Sequence, residues 1–476
     1  MFDLTIGNEM RLLNISTKFL CAAAITLAAI AGTSCDKDDN FGIDGSEQGI
    51  QGGNHGDRKE FVQTRKVLLF YECGFNSLYP YIREDMDEEL VKGFIPKNGR
   101  NDDILLVFSR IARNGNYVNQ PSYLRRLYTD PEGTMVSDTL LTLPPETVAA
   151  KPETMRTVLN YARDAFPSLG YGLIFASHGS GWLPATYYAN PSAYEKEHAP
   201  KGTKAKAAPA WQQAPIPSGD LSETDPFYGM TRSIGNDAER VGSGSGSYVI
   251  DHEMSIAEFV SGIPFHLDYI LFDMCFSSGA EIYYGLKDVT DYVMGSPCEV
   301  MADGMFDYTT VTSYLIGRET PDLEGLADAA FKRYDSRTGI ERSAIVSLAR
   351  TAGTEALASV CKSLFETYRP ALYNVDYTKV QGYYRSGRHY FFDLEDALVK
   401  CGASQADLTI LRNALDGCIL YKNATPNFLG PTSPTSSGFT VETTCGISIY
   451  LPCAGTPLLD SLYKLEGWNK AVSLVK

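Results

Sequence analysis

Short apolar runs alternate along the chain with longer segments of helical periodicity. Continuous apolar runs bounded by polar residues or glycine are typical of strands buried on both faces of a parallel sheet. Such runs predict strands at 67–71, 104–108, 171–177, 269–272, 291–296, 343–348 and 445–451. The periodic segments predict helices near 79–93, 152–165, 278–287, 322–334, 353–368 and 405–421. Strands alternating with helices predict an α/β fold with a mostly parallel central sheet covered on both faces.

Two of the predicted strands end in residues that carry chemistry. The run 171–177 leads directly into His178, and the run 269–272 is followed by Cys275. The carboxyl ends of parallel strands share one edge of a sheet, which is where open α/β sheets place their ligands. This order of motifs therefore predicts an imidazole and a thiol on one rim, the arrangement that covalent catalysis needs. The alternative for Cys275 is a small, buried core residue.

A helix is predicted directly after this cysteine. Ser277 and Ser278 have the composition of a helix cap, which would start the helix 278–287. The amides and dipole at its amino terminus would stabilise a thiolate on Cys275.

These motifs resemble a known family. A strand followed by His-Gly, then a strand ending in Cys, resembles the caspase-like cysteine peptidases. Phe272-Asp273-Met274-Cys275 with Glu281, then residues 295–304 and Tyr308, resemble the clostripain branch. The resemblance covers about residues 65–315. It implies a caspase-like αβα sandwich with a mostly parallel central sheet, plus a mainly helical C-terminal extension.

The resemblance also implies roles for individual residues. Cys275 would attack the peptide bond as a thiolate, and His178 would protonate the leaving amine. The backbone amides of Gly179 and Cys275 would form the oxyanion hole. Asp273 and Asp303 would line the S1 pocket and pair with Arg or Lys at P1. The alternatives are a helix-capping role for Asp273 and a turn-forming role for Asp303.

A loop insertion is predicted at 184–249, between the proposed base and the proposed nucleophile. The residues around Lys204 and Lys206 are small or basic and are flanked by proline. Near its end the insertion alternates Gly and Ser. Relatives of clostripain are matured by cleavage after a basic residue in this region, which makes these two lysines candidate self-cleavage sites. A surface insertion without a role is the alternative.

The amino terminus predicts export. Residues 1–35 combine a basic segment with an apolar stretch that is short for a membrane span. Residues 32–35 resemble a bacterial lipobox whose Cys35 would be lipidated, although Gly32 replaces the usual aliphatic residue. The acidic residues 36–39 resemble the surface-export signal of Bacteroides-type lipoproteins. The prediction is an outer-membrane, cell-surface anchor, and an ordinary cleaved signal peptide is the alternative.

The remaining organisation follows from composition. Residues 36–60, rich in Gly and Asp, predict a flexible tether, 61–340 the peptidase core, and 341–476 a part that completes the sheet, forms a helical subdomain, or both. The net charge of −16 argues against nucleic-acid binding. The sequence contains no Cys-x-x-Cys pair, so no metal site is predicted. The resemblance allows calcium as a cofactor. His252 and Glu253 are predicted to open a helix.

The sequence therefore predicts a surface or periplasmic lipoprotein that is a cysteine endopeptidase, cleaves peptides or proteins after Arg or Lys, and processes itself. Two alternatives stay open. One is a catalytically inactive surface protein that keeps the peptidase fold for binding or adhesion. The other is a related peptidase with a non-basic P1 preference.

Overall fold

A computed structural model of the protein describes residues 65–476, except 116, 189, 199–232, 243–246, 385–388 and 431–437. The predicted signal peptide and tether lie outside the described residues. The same holds for three predicted site residues, namely Cys35, Lys204 and Lys206.

The described residues form strands and helices in alternation. The strands are β1 (Lys66–Gly74), β2 (Ile104–Ile111), β3 (Ser122–Thr129), β4 (Met135–Leu143), β5 (Gly170–Ala176), β6 (Ile234–Val241), β7 (Tyr248–Met254), β8 (Leu267–Asp273), β9 (Thr290–Gly295), β10 (Ile345–Arg350), β11 (Gly382–Tyr383), β12 (Phe391–Asp393), β13 (Ile419–Ala424), β14 (Asn427–Phe428), β15 (Phe439–Thr440) and β16 (Ser448–Ile449). The helices are α1 (Tyr79–Glu84), α2 (Pro152–Ala165), α3 (Pro191–His198), α4 (Ile256–Ser261), α5 (Ala280–Gly285), α6 (Val311–Leu315), α7 (Leu323–Asp335), α8 (Thr354–Leu372), α9 (Leu394–Lys400), α10 (Gln405–Cys418), α11 (Pro457–Tyr463) and α12 (Gly467–Val472).

A nine-stranded sheet organises the described chain, in the order β13-β10-β9-β8-β5-β1-β2-β3-β4. Its five central strands, β9 to β2, pair in parallel. Antiparallel pairings add β10 and β13 at one edge and the β3–β4 hairpin at the other. This architecture confirms the predicted α/β class with a mostly parallel central sheet. The alternation of apolar and polar residues over 123–128 and 136–143 is typical of a hairpin, and β3 and β4 form one there.

Both faces of the sheet are buried, which explains the continuous apolar runs. In β1, Val67, Leu69 and Tyr71 point to one face, and Leu68 and Phe70 point to the other. The first face is covered by α2, α4, α5 and α8 to α12, and the second by α1, α6 and α7. Alternate side chains of one strand therefore fill two separate cores. The arrangement is the predicted αβα sandwich.

The C-terminal part of the chain contributes to both layers. β10 and β13 extend the main sheet, while α8, α9, α10, α11 and α12 supply its mainly helical portion. The predicted strand 445–451 is much shorter, since only Ser448–Ile449 forms a strand, which pairs with β12 in a separate three-stranded sheet. In the described part of the chain, no helix combines the length and the apolar character needed to cross a membrane.

The predicted insertion 184–249 contains regular structure at both ends. α3 lies near its start, and β6 lies near its end and pairs antiparallel with β7. The prediction that His252 and Glu253 open a helix is wrong, because both lie in β7. The helix starts three residues later, where Ser255 and Glu258 form a capping box.

A buried ion pair fixes β6 to the sheet. Nε of Arg110 in β2 donates to both carboxyl oxygens of Asp237 in β6, at 3.0 Å to Oδ1 and 2.9 Å to Oδ2. Neither side chain is exposed. The amide of Ala149 also donates to Asp237. Burial raises the pKa of Asp237 to about 6, and the neighbouring Arg110 opposes that rise. The last part of the insertion is thus tied to β2 by a desolvated charge pair.

We expect Asp237→Ala to lower the free energy of unfolding by about 3–5 kcal/mol, because it leaves the Arg110 guanidinium buried without its partner. Chemical denaturation at pH 7.5 measures the loss. Asp164→Ala is the matched control, since Asp164 pairs with Arg163 on the exposed surface and should cost less than about 1 kcal/mol. Equal losses in the two variants would contradict the importance of the buried pair.

Candidate active site

The pairing of β5 with β8 sets the geometry of the candidate site. These strands are parallel neighbours, and Ala176 is opposite Asp273 in the register. His178 and Cys275 each follow two residues later, so both leave the sheet at its carboxyl edge from equivalent positions. The amide of Ser177 continues the ladder by donating to Asp273 O at 3.3 Å. The histidine is 4% exposed and the cysteine 8%.

The loops that carry these two residues are in close contact. A Cβ built on Gly179 would lie 2.7 Å from Cys275 O and would clash with the side chain of Met274. Only glycine therefore fits at this position while the loops stay together. In the structure, the loop after β8 occupies the space that a side chain at position 179 would need.

The thiol of Cys275 contacts the backbone of the 295–304 motif. The amide of Val300 donates to Cys275 Sγ at 3.3 Å, and Sγ lies 3.8 Å from Val300 O. No disulfide joins cysteines within the described residues, so Cys275 is present as a thiol. An amide aimed at sulfur favours its charged form, because hydrogen bonds to the charged form of a group stabilise it.

The helix cap that the sequence predicts directly after Cys275 is absent. α5 begins only at Ala280, with Gly279 as its N-cap and no side-chain capping bond. The Ser277 hydroxyl instead donates to Met274 O and accepts from the Ser296 amide. Ser278 is also absent from the cap, as its hydroxyl accepts from Tyr283. The prediction of a helix over 278–287 that stabilises the thiolate was wrong in its start and its cap.

The backbone after Cys275 is held in an unusual conformation. Phe276 has φ of 53°, in the left-handed region that non-glycine residues rarely adopt. Its amide donates to Cys298 O at 2.8 Å, and its ring stacks on Phe391 with centroids 4.3 Å apart. These contacts maintain the strained turn that presents the thiol at the sheet edge.

His178 has a partner that the sequence analysis missed. Its Nε2 lies 2.9 Å from Oγ of Ser77, in the turn that follows β1. β1 is the other parallel neighbour of β5, so this turn reaches the same edge of the sheet. The sequence shows a serine after a strand, and nothing in the pattern distinguishes it from other loop serines.

Asp273 lies beneath this edge and is 6% exposed. It accepts from the Met305 amide at 2.6 Å and from the Tyr308 hydroxyl at 2.9 Å. Burial raises the pKa of Asp273, and these two hydrogen bonds oppose the rise. Gly304, with φ of 77°, lies against the same carboxylate. The carboxyl group is thus bonded to the motif that contains Asp303.

Two further buried acids adjoin Asp273. Glu72, at the end of β1, is fully buried, and neither of its carboxyl oxygens has a hydrogen-bond partner among the described residues. Burial, then Asp85, then Asp273 raise the pKa of Glu72 well above its usual value. Burial raises the pKa of Asp85 to about 9, with Asp273 adding to the rise. We call Glu72, Asp85 and Asp273 the acidic cluster. A cation entering it would relieve both desolvation and mutual repulsion.

Asp303 has different surroundings. It is paired with Arg337 at 2.6 Å and with Arg333 at 3.6 Å, and it accepts from the Tyr334 hydroxyl at 2.8 Å. Burial is the main cause of the raised pKa of Asp273, the charge of Arg333 opposes the rise, and Asp303 adds to it more weakly. The two predicted S1 carboxylates are therefore coupled, but one is buried in the acidic cluster and the other is bound to arginines.

Within the described ranges, no three His, Cys, Asp or Glu side chains gather closely enough to hold a metal ion. Calcium stays an expectation from the resemblance, and no chemical step is assigned to a metal.

The start of β6 is bonded to the histidine loop. Gly235 N donates to His178 O at 3.0 Å, and Ser180 N donates to Ser233 O at 2.7 Å. Gly179 and Ile234 form the bridge between them. The backbone of residues 233–235, in the last part of the insertion, is therefore hydrogen-bonded to the loop that carries the imidazole.

Comparison with known proteins agrees with this geometry. The family model for the clostripain family, peptidase C11, matches residues 70–195 and 252–405. The fold is similar to an inactive zymogen C11 protease from Parabacteroides distasonis, with 23% identity, a TM-score of 0.64, and coverage of 86% of this chain and 97% of that chain. It is also similar to a secreted C11 cysteine protease from Bacteroides thetaiotaomicron, "iotapain", with 22% identity and a TM-score of 0.63. That match covers 86% of this chain and 99% of the other chain. The curated proteins contain no match.

The structural likenesses, all below 25% identity, concern the fold, and the family match covers more than half of the chain on both sides of the insertion. The chain therefore belongs to the clostripain family of cysteine peptidases.

Proposed function

We propose that the protein is a cysteine endopeptidase that hydrolyses peptide bonds after Arg or Lys, with Cys275 as nucleophile and His178 as general acid and base. The observation that carries the proposal is the equal register of β5 and β8, from which both residues leave at one edge of the sheet. The contact between Gly179 and the Cys275 backbone supports it, because it keeps the two loops together.

The proposed reaction proceeds in two steps. Cys275 Sγ, as a thiolate, attacks the scissile carbonyl carbon, and His178 gives its proton to the leaving amine, so that a thioester forms. His178 then takes a proton from water, which attacks the thioester and releases the thiol. The amides of Gly179 and Cys275 are the proposed donors to the oxyanion in both steps.

The acidic cluster supports a basic P1 residue. Its buried carboxyl groups are costly to ionise, Arg333 is a positive neighbour that only partly opposes the raised pKa of Asp85 and Asp273, and neither carboxyl oxygen of Glu72 has a hydrogen bond among the described residues. An Arg guanidinium or Lys ammonium next to Asp273 would supply the missing charge, with hydrogen bonds that are stronger than neutral ones. Asp303, bound to Arg337 and Arg333, would contribute only if it exchanged those partners for substrate.

Self-processing in the insertion follows from the same preference. Lys204 and Lys206 are the proposed cleavage sites. The hydrogen bonds between Ser233–Gly235 and the loop of His178 support a link between that segment and the site. One similar structure is described as an inactive zymogen, which fits a protein that requires processing.

We also propose export and lipidation at Cys35, which anchors the protein in the outer membrane with the peptidase at the cell surface. The support is the sequence of residues 1–39. A diacylated cysteine would give stable attachment, since one acyl chain alone binds membranes only marginally.

The first experiment compares wild-type protein with Cys275→Ala. Loss of the nucleophile should lower hydrolysis of an Arg- or Lys-terminated reporter by about 10³-fold or more. Mass spectrometry should find new termini after Lys204 or Lys206 in the wild type only. Cys401→Ala is the matched control, because Cys401 is a partly exposed thiol in a different part of the fold. A wild type without activity on any reporter would favour a binding or adhesion protein.

The second experiment tests the P1 preference. Asp273→Asn should lower kcat/KM for basic reporters by about 10- to 100-fold, the value of a charge-assisted hydrogen bond, and leave apolar reporters little changed. Asp291→Asn is the control, since Asp291 pairs with His266 on the exposed surface. An equal loss on every reporter would assign Asp273 a structural role, and a wild type that prefers apolar P1 residues would contradict basic specificity.

The third experiment tests the anchor. In a bacterial host, Cys35→Ala should move the protein from the detergent phase to the aqueous phase, because lipidation requires that thiol. Cys21→Ala changes a cysteine in the predicted signal segment and should leave partitioning unchanged. Detergent-phase protein in the Cys35→Ala variant, or a mature terminus other than residue 35, would contradict lipidation.

A further inference from the structure

The turn after β1 brings a serine to the proposed base. β1 and β5 are parallel with Glu72 opposite Ala176, so the residues beyond each strand end lie side by side. Ser77 Oγ is 2.9 Å from His178 Nε2. With the histidine only 4% exposed, this hydroxyl is in a position that water does not readily replace.

Asn76 fixes the turn that presents Ser77. This amide is 3% exposed, and its Oδ1 accepts from Leu78 N at 2.9 Å. Its Nδ2 donates to Cys73 O at 2.8 Å and to Asn236 O at 2.7 Å. The side chain therefore closes an Asx-type turn across Ser77 and connects it both to β1 and to β6. The hydroxyl is held by buried hydrogen bonds rather than by a free loop.

We infer that Ser77 is a positioning residue for His178, whose hydroxyl binds Nε2 and leaves Nδ1 to exchange protons with Cys275 and the leaving amine. This inference rests on the proposed function. When Cys275 Sγ–H transfers its proton to Nδ1, the imidazolium carries a proton on each nitrogen, and Nε2–H donates to Ser77 Oγ. After Nδ1 has given its proton to the leaving amine, the hydrogen bond between Nε2–H and Ser77 Oγ keeps the ring in the same orientation.

A hydroxyl suits this role because its oxygen accepts a hydrogen bond. It accepts from Nε2–H in the imidazolium and also in the neutral ring that remains after Nδ1 has given up its proton, so the ring keeps one orientation through the cycle. Without the hydroxyl, the imidazolium loses the hydrogen bond that Nε2–H donates to Ser77 Oγ, which disfavours the charged ring. Loss of the hydroxyl should therefore lower the pH at which the imidazolium loses its proton.

Several titratable groups face this region from the elements packed against His178. The titratable groups that these elements carry near their ends are Cys275 and Asp273 from β8 and its loop, Glu72 and Cys73 from β1, and Asp237 from β6. A Ser77→Ala variant and a Ser77→Thr variant retain all of them. A difference between the two variants therefore isolates the hydroxyl.

The experiment measures alkylation of Cys275 by iodoacetamide from pH 5 to 10, read by mass spectrometry of the Cys275 peptide. It reports the thiolate–imidazolium pair without requiring peptidase activity. Ser77→Ala should move the alkaline transition to lower pH by about 0.5 to 1 unit, the equivalent of one hydrogen bond. On the reporter, kcat should fall by about tenfold with KM within about twofold.

Ser77→Thr should restore both values, since it keeps the hydroxyl. Ser313→Ala is the control, because it removes a hydroxyl that bonds only to its own helix turn at Thr310 O, and it should match the wild type. A wild-type profile with a clear ion-pair transition that Ser77→Ala leaves unchanged would overturn the positioning role alone. A wild-type profile with only an ordinary thiol titration would overturn the Cys275–His178 pair, and the role of Ser77 with it.

Discussion

The parallel pairing of β5 with β8 is the constraint on which the site depends. A shift of one residue in that register would turn every side chain of the strand to the opposite face. The apolar residues that fill the two cores, such as Ile174 and Phe175 of β5, would then exchange environments. The burial of both faces therefore fixes the positions of His178 and Cys275 more firmly than any contact between the two residues could.

Three segments distant in sequence hold the histidine loop in this frame. The turn after β1 provides Ser77, the loop after β8 packs against Gly179, and the start of β6 bonds to the backbone of His178. β6 is in turn anchored by the ion pair between Asp237 and Arg110. Each support is formed from main-chain bonds or from side chains that are buried or partly buried, so the site has the rigidity of the sheet rather than that of a surface loop.

The sequence predicted the features that depend on burial and local chemistry. The central strands were visible because a strand covered on both faces must be apolar throughout, and α2 was visible from Pro152 at its start. The features that were missed depend on distant partners. Ser277 has the composition of a cap, but its hydroxyl is used by Met274 and Ser296. His252 is extended because β6 pairs with it, and Ser77 meets His178 only through the register of β1 and β5.

The burial of the acidic cluster separates two kinds of electrostatic effect. The net charge of −16 acts through solvent, and mobile ions screen such a field over about 10 Å at 0.1 M ionic strength. Glu72, Asp85 and Asp273 lie inside the protein, at 0%, 6% and 6% exposure, where ions do not intervene. Under the proposed basic preference, added salt would therefore weaken the long-range attraction of a basic peptide while leaving the proposed selection of its cationic side chain intact.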